Sequence, residues 1–212
     1  MAYFTILFDF DGTLADTQEL AFDILNSVAP EFGIRPITRE EIPALKKMSA
    51  WQLLRQRSGI PLWNVFKIRR LERRVRAEFL NRADDIHLFS GIPEMMRNAR
   101  AAGYELGVVS SNAPGIVREV LAREGVEVNF VHAGSRFFGK AGAIRAACAA
   151  YDVDRSHAVY VGDELRDIAA CKKARIDMVA VGWGFNAADA LQGAGAKVAK
   201  TPQELLGILG TP

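Results

Sequence analysis

Tyr3-Phe4-Thr5-Ile6-Leu7-Phe8-Asp9-Phe10-Asp11-Gly12-Thr13-Leu14 decides how the rest of the chain is read. Residues 3–8 are almost uniformly apolar, β-branched or aromatic, the composition of a strand buried on both faces of a parallel sheet. Two carboxylates, Asp9 and Asp11, follow where the apolar run gives way to Gly12. Two like charges at the end of a buried strand are costly unless a cation shares them. Taken alone, Asp11-Gly12 also suits a plain turn after a strand, with Asp9 exposed at its end.

Outward from this stretch, the 212-residue length suits one or two domains with a sizeable core. The net charge of +2 is too small to argue for a nucleic-acid partner. No apolar run approaches the length of a membrane span. The N-terminus has no basic flank, and its apolar stretch runs straight into Asp9 and Asp11. A signal peptide is therefore not read, and a cytoplasmic protein, monomer or homodimer, is expected. Cys148 and Cys171 lack a neighbouring Cys or His at metal-ligand spacing, so they are expected to be buried free thiols rather than zinc ligands. His87, His132 and His157 are scattered singly and receive no chemistry.

After Leu14 the pattern turns helical. Asp16-Thr17-Gln18-Glu19 has the spacing of a capping box and predicts a helix to about Phe32. Thr38-Arg39-Glu40-Glu41 repeats the device and predicts a helix to about Met48. A third is expected over Trp51–Arg57, ended by Gly59-Ile60-Pro61. From Leu62 to about Arg82, the three- and four-residue steps of Val65, Ile68, Leu71, Val75 and Phe79 predict one long helix with a single apolar face. Residues 16–88 thus read as an all-helical insertion after the first strand. The remainder alternates: helix from Ile92, strand 104–109, helix 114–123, strand 128–131, helix 141–151, strand 158–161, helix to Ala174, strand 178–181, and a last helix opened by Thr201-Pro202-Gln203-Glu204. Alternation of this kind predicts an α/β fold, a doubly wound Rossmann-like parallel sheet. Residues 1–15 and 89–212 form its core and 16–88 a separate helical unit.

Ligands of such sheets bind beyond the carboxyl ends of the strands. Those ends carry Asp9 and Asp11, then Ser110, Ser111 and Asn112, then Asp163 with Glu164 and Asp167; Lys140 follows the third strand. Four of these carboxylates, Asp9, Asp11, Asp163 and Asp167, with a hydroxyl and an ammonium from across the sequence, fit a site for a metal ion and a phosphoryl group.

Asp9-Phe10-Asp11-Gly12-Thr13-Leu14 resembles the first signature of the haloacid dehalogenase-like hydrolases, most of which are phosphatases. Val108-Val109-Ser110-Ser111-Asn112 resembles the second signature. Phe138-Gly139-Lys140 resembles the third, and Val161-Gly162-Asp163-Glu164-Leu165-Arg166-Asp167 the fourth. The helical insertion is similar to that family's cap domain, and the pattern is nearest to the phosphoglycolate-phosphatase-like members. The resemblance implies Asp9 as nucleophile and Asp11 as acid and base. It implies Mg²⁺ on the Asp9 carboxylate, the Asp11 carbonyl and Asp163, with Asp167 behind them or paired with Lys140. Ser110 and Lys140 would hold the phosphate of a small phosphorylated metabolite, with Ser111 and Asn112 as neighbouring contacts. The register between Ser110 and Ser111 stays open.

The residue types suit that chemistry. A carboxylate needs no general base to attack phosphorus, and an aspartyl phosphate divides one hard hydrolysis into two steps. An all-oxygen site suits Mg²⁺, and lysine supplies a compact positive charge. A phosphomutase of the same superfamily is the first alternative. Ala21 stands where such mutases usually carry His, and Leu45-Lys46-Lys47-Met48-Ser49 leads to Ala50 rather than Arg. A non-catalytic binding protein on the same fold is the second, and it would not need every acid in place. Lys46 and Lys47 are candidates to meet a second anionic group.

Overall fold

A computed structural model describes residues 2–48, 50–57, 64–134, 139–210 and 212. Six strands, β1 (Thr5–Phe8), β2 (Glu105–Val109), β3 (Phe130–His132), β4 (Ala158–Gly162), β5 (Asp177–Val181) and β6 (Lys197–Ala199), form one sheet in the order β3-β2-β1-β4-β5-β6, every pair parallel. This is the Rossmann-like α/β arrangement that the alternation predicts.

Side-chain alternation along the strands builds the two faces. Ile6 and Phe8 of β1, with Val159 and Val161 of β4, point into one cluster; Leu7 and Tyr160 point into the other. Helices cover both. On the first face lie α5 (Ile92–Ala101), α6 (Pro114–Arg123) and α10 (Pro202–Leu209). On the second lie α7 (Lys140–Ala150) and α8 (Leu165–Ala174), which bury Cys148 and Cys171 as free thiols. The remaining core helix is α9 (Ala188–Gly193). Among the described residues, no helix is long and apolar enough to cross a membrane.

Between β1 and β2 run α1 (Gln18–Phe32), a 3₁₀ turn (Arg39–Glu41), α2 (Ile42–Leu45), α3 (Ala50–Arg57), α4 (Val65–Asn81) and a 3₁₀ turn at Ala83–Asp85. The segment leaves and re-enters the core at one place. Ala15 bridges Leu88 antiparallel, the Asp16 N–H donates to the His87 carbonyl at 2.8 Å, and the Phe89 N–H to that of Leu14 at 2.9 Å.

Several local expectations change. Helix α1 starts at Gln18 with Thr17 at its N-cap, and Asp16 makes no cap because its backbone is committed to the His87 pairing. Thr38 and Glu41 do form a capping box, yet the helix it opens ends at Leu45. The carbonyls of Lys46 and Met48 are taken instead by the side chain of Asn186, at 2.8 and 2.9 Å. Helix α4 is capped by Asn64, whose side chain accepts the Lys67 N–H, and Val65 lies outside its buried face. Leu62, Gly59-Ile60-Pro61 and Phe138 fall outside the described residues.

Candidate active site

The sheet register gathers the acids. Phe8 of β1 stands beside Val161 of β4 and Val108 of β2, so Asp9, Asp163 and Ser110 emerge together at the carboxyl edge. Chain order reverses there, with β1 next to both β2 and β4, which opens the crevice where doubly wound sheets bind ligands.

Asp9 is 3 % exposed. Its Oδ1 accepts the Phe10 N–H at 2.8 Å, and its Oδ2 pairs with the Lys140 ammonium. Lys140 opens α7, is buried, and lies 2.9 Å from Asp167 Oδ1. Of the two places open to Asp167, the structure shows the pairing with Lys140. Asp167 Oδ2 accepts the Glu164 N–H at 3.1 Å, while its Oδ1 has no well-angled hydrogen bond. Glu164 caps α8 and pairs with Arg166.

Asp163 is fully buried. Its Oδ1 accepts the Thr13 hydroxyl at 2.8 Å and its Oδ2 the Phe185 N–H at 2.7 Å. Glycines make this approach possible: a Cβ on Gly12 would lie 2.3 Å from Asp163 Oδ2, and one on Gly184 2.4 Å from it. Gly12 also has φ +75°, a conformation that favours glycine. Asp11 faces Asn112, whose amide nitrogen is 3.1 and 3.3 Å from its two oxygens, while the Ala113 N–H fixes the Asn112 carbonyl. Ser110 is wholly buried, and its Oγ accepts the Asn112 N–H at 2.9 Å. Ser111 lines the neighbouring cavity.

The charge balance is uneven. Asp9, Asp163 and Asp167 each bring a carboxylate oxygen to within 4.8 Å of the others, all buried. Burial pushes the Asp9 carboxyl up, with Lys140 opposing and Asp167 adding to the rise. Burial, then the negative charges of Glu164, Asp167 and Asp9, lift Asp163 well above the usual carboxylate range. Asp11 is pushed up to about 6, by burial and then by Asp9. Burial works to lower the Lys140 pKa, but Asp167 and Asp9 outweigh it and hold the group above its ordinary value. A buried, all-oxygen set carrying excess negative charge fits a hard divalent cation.

Above these groups lies a cavity of about 340 Å³ between the sheet edge and the helical segment. Its floor includes Asp11, Ser111, Asn112 and Arg166; its roof comes from α1, α4 and the stretch around Lys46. Arg76 of α4 donates to the Ser111 carbonyl at 2.8 Å.

Residues 6–181 match the model of the haloacid dehalogenase-like hydrolases. The chain belongs to that family. Phosphoglycolate phosphatase of Synechococcus elongatus is 33% identical over 204 residues, covering 95% of this chain and 94% of that protein. N-acetylmuramic acid 6-phosphate phosphatase of Pseudomonas aeruginosa is 27% identical over 191 residues, covering 85% and 82%. Among solved structures, a haloacid dehalogenase-like hydrolase from Streptococcus pneumoniae superposes with a TM-score of 0.75 at 18% identity, covering 98% and 99% of the two chains. CbbY from Rhodobacter sphaeroides, in complex with phosphate, superposes with a TM-score of 0.69 at 25% identity, covering 96% of each. This haloacid dehalogenase-like hydrolase is a phosphoric monoester hydrolase, and the four stretches that resembled the family's signatures fall inside or beside the matched core.

Some residues of this haloacid dehalogenase-like site carry little mark in the sequence. Thr13 lies in the first motif, but nothing there says that its hydroxyl reaches Asp163. Arg166 sits inside the Gly-Asp-x-x-x-Asp segment, and its spacing from Glu164 was the available signal. Asn186, Gly184 and Arg76 arrive only through tertiary approach. Of the two lysines considered for an anionic group, Lys46 lines the cavity, while Lys47 pairs with Asp189 at 2.9 Å.

Proposed function

We propose that this chain is a Mg²⁺-dependent phosphatase that hydrolyses a small phosphorylated metabolite through an aspartyl phosphate on Asp9. The observation that carries the reading is the buried meeting of Asp9, Asp163 and Asp167 around a single Lys140 at the sheet's carboxyl edge. The phosphoglycolate phosphatase similarity makes 2-phosphoglycolate the reference ester to test.

The Asp9 carboxylate, oriented by Lys140 and the Phe10 N–H, attacks phosphorus, and the P–O bond to the leaving group breaks. Asp11, held by Asn112, gives its proton to the leaving oxygen. Asp11 then takes a proton from water, which attacks the phosphorus of the aspartyl phosphate. The P–O bond to Asp9 breaks, inorganic phosphate departs and the carboxylate is restored. Lys140 keeps positive charge at the reacting oxygens, and Ser110, at the turn ahead of α6, would meet the phosphate. The Asp9 and Asp163 carboxylates and the Asp11 carbonyl would hold the Mg²⁺, which when bound neutralises negative charge on the transferring group.

In this reading residues 16–88 are a cap, and residues 1–15 and 89–212 the catalytic core. The cap would exclude water and select the leaving group. Ala21 lines the cavity with a methyl group where sugar-phosphate mutases usually place His, which supports hydrolysis over phosphoryl transfer between sugars. The test is release of phosphate from p-nitrophenyl phosphate and 2-phosphoglycolate with and without Mg²⁺. Turnover that needs Mg²⁺ and stops with a chelator is expected; full turnover in metal-free buffer would refute the reading.

A further inference from the structure

The helical segment turns an apolar face toward the catalytic edge and leaves a cavity between them. On α4, Ile68, Leu71, Val75 and Phe79 recur at helical spacing and all line the cavity. Phe22 and Leu25 of α1 face them across it. Ile68 and Leu71 are buried, whereas Phe22, Leu25, Val75 and Phe79 are only partly so. Burying these four fully would be favourable; among the described residues, Val75 and Phe79 pack against the core cluster on one side, and all four turn the rest of their surface to the cavity.

The size of the cavity argues in the same direction. A second anionic group on the substrate needs a cation within reach. Lys140 is engaged with Asp9 and Asp167, Arg166 pairs with Glu164, and Arg76 donates to the Ser111 carbonyl, while Lys46 also lines the cavity. The two-carbon body of 2-phosphoglycolate would fill a small part of about 340 Å³ and leave the apolar side chains of α1 and α4 uncovered. Cavities of this size and lining take larger, mostly apolar bodies, oriented by a few polar groups at one end.

We infer that the preferred substrate is a phosphate monoester whose leaving group carries an extended apolar body, alkyl or aryl, seated between α1 and α4 while its phosphate meets Asp9. The inference rests on the phosphatase reading and narrows it to a substrate class. Transfer of one methylene into an apolar site is worth about fourfold in binding. Affinity spent on a remote part of the substrate appears in kcat/KM when it is held in the transition state.

The experiment measures kcat/KM of the Mg²⁺-loaded full chain for ethyl, butyl and hexyl phosphate and for 2-phosphoglycolate. Hexyl phosphate is expected to exceed both ethyl phosphate and 2-phosphoglycolate by more than tenfold. In Val75→Asp, with folding checked by circular dichroism, the hexyl-to-ethyl ratio is expected to fall at least fivefold. Calorimetry supplies a readout without turnover: hexylphosphonate is expected to bind more than tenfold tighter than ethylphosphonate, with a negative heat-capacity change. Hydrolysis of all four esters with no dependence on chain length, or a preference for 2-phosphoglycolate, overturns the inference and leaves the phosphatase reading standing. Hydrolysis of none of them, nor of p-nitrophenyl phosphate, overturns both.

Discussion

Lys140 and Asp167 form an ion pair, 2.9 Å from Nζ to Oδ1, almost wholly out of water. With Asp9 on the other side of the ammonium, one cation serves two carboxylates. Removing it leaves Asp9 and Asp167, among the described residues, with only Arg166 as nearby positive charge, and breaking such a buried pair from one side costs about 3–5 kcal/mol. Lys140→Ala is therefore expected to lower the urea midpoint of the metal-free protein at neutral pH and to depress turnover. Lys140→Met, which keeps most of the volume, should lose activity as severely, separating charge from packing. An unchanged urea midpoint in Lys140→Ala would show that the pair contributes nothing to stability.

Asp9 and Asp11 differ in what touches them, and their variants should differ as well. Asp9→Asn removes the nucleophile and is expected to abolish turnover while leaving the circular dichroism spectrum intact. Asp11→Asn keeps the nucleophile and loses the proton donor, a change that typically costs about 10²–10⁴-fold. With a leaving group that needs little protonation, the second step suffers more than the first. Acid quench and mass spectrometry should then find phosphate on the peptide containing Asp9. Two in-line displacements also predict retention of configuration at a chiral phosphate; observed inversion contradicts the covalent route.

Asp163 is set between Gly12 and Gly184, with the Thr13 hydroxyl and the Phe185 N–H on its two oxygens. Asp163→Asn keeps the shape and removes the charge. Mg²⁺ affinity measured by calorimetry is expected to fall at least tenfold, while the thermal midpoint of the metal-free protein stays level or rises as like-charge repulsion is relieved. An unaltered Mg²⁺ affinity would remove Asp163 from the proposed ligand set.

The Asp11 carboxyl offers a pH test. Its value rises from 3.8 to about 6, from burial and then from Asp9. A raised carboxyl favours its neutral form in the folded state. The stability it contributes is complete below its unfolded value and is lost as pH climbs through about 6. In the metal-free protein, carboxyl ¹³C chemical shifts should show Asp11 titrating near that pH. Asp11→Asn should flatten the decline in stability between pH 4 and 6; a midpoint near the ordinary carboxylate value would contradict this account.

Asn186 joins the helical segment to the sheet edge. It is 4 % exposed, donates to the carbonyls of Lys46 and Met48, and accepts the Leu165 N–H. Each buried group left unsatisfied costs about 1–3 kcal/mol. Asn186→Ala is expected to lower the thermal midpoint and to raise KM more than it lowers kcat, through loosening of the wall around Lys46. Equal effects on both constants would place Asn186 in the chemistry instead.

The core was legible wherever one kind of signal dominated. β1 and β4 are continuous apolar runs, and each is followed by its acid because a parallel strand buried on both faces leaves polar groups only at its ends. Lys140 could be found because it follows the third strand. β6 could not: it is three residues long, begins with Lys197 and gains its place only by pairing with β5. The same holds for α9. The capping box read at Asp16 failed because backbone pairing with His87 competes with it, a contact between residues far apart in sequence. The cavity escaped for a related reason. Periodicity along α4 marks an apolar face but says nothing about what that face meets.

The pairing of Ala15 with Leu88 bears on how the molecule folds. β1 forms its ladders only with β2 and β4, both distant in sequence, and strands of that kind associate slowly because a long loop must close first. Helices between them form from local contacts, and docking α1 on α4 draws the two ends of the segment together. Once Ala15 and Leu88 are side by side, the loop separating β1 from β2 is shortened to residues 9–14 on one side and 89–104, which include α5, on the other. The entropic barrier to nucleating the sheet then falls with the logarithm of that length. A helical segment that docks early would therefore favour assembly of the sheet before any substrate is met.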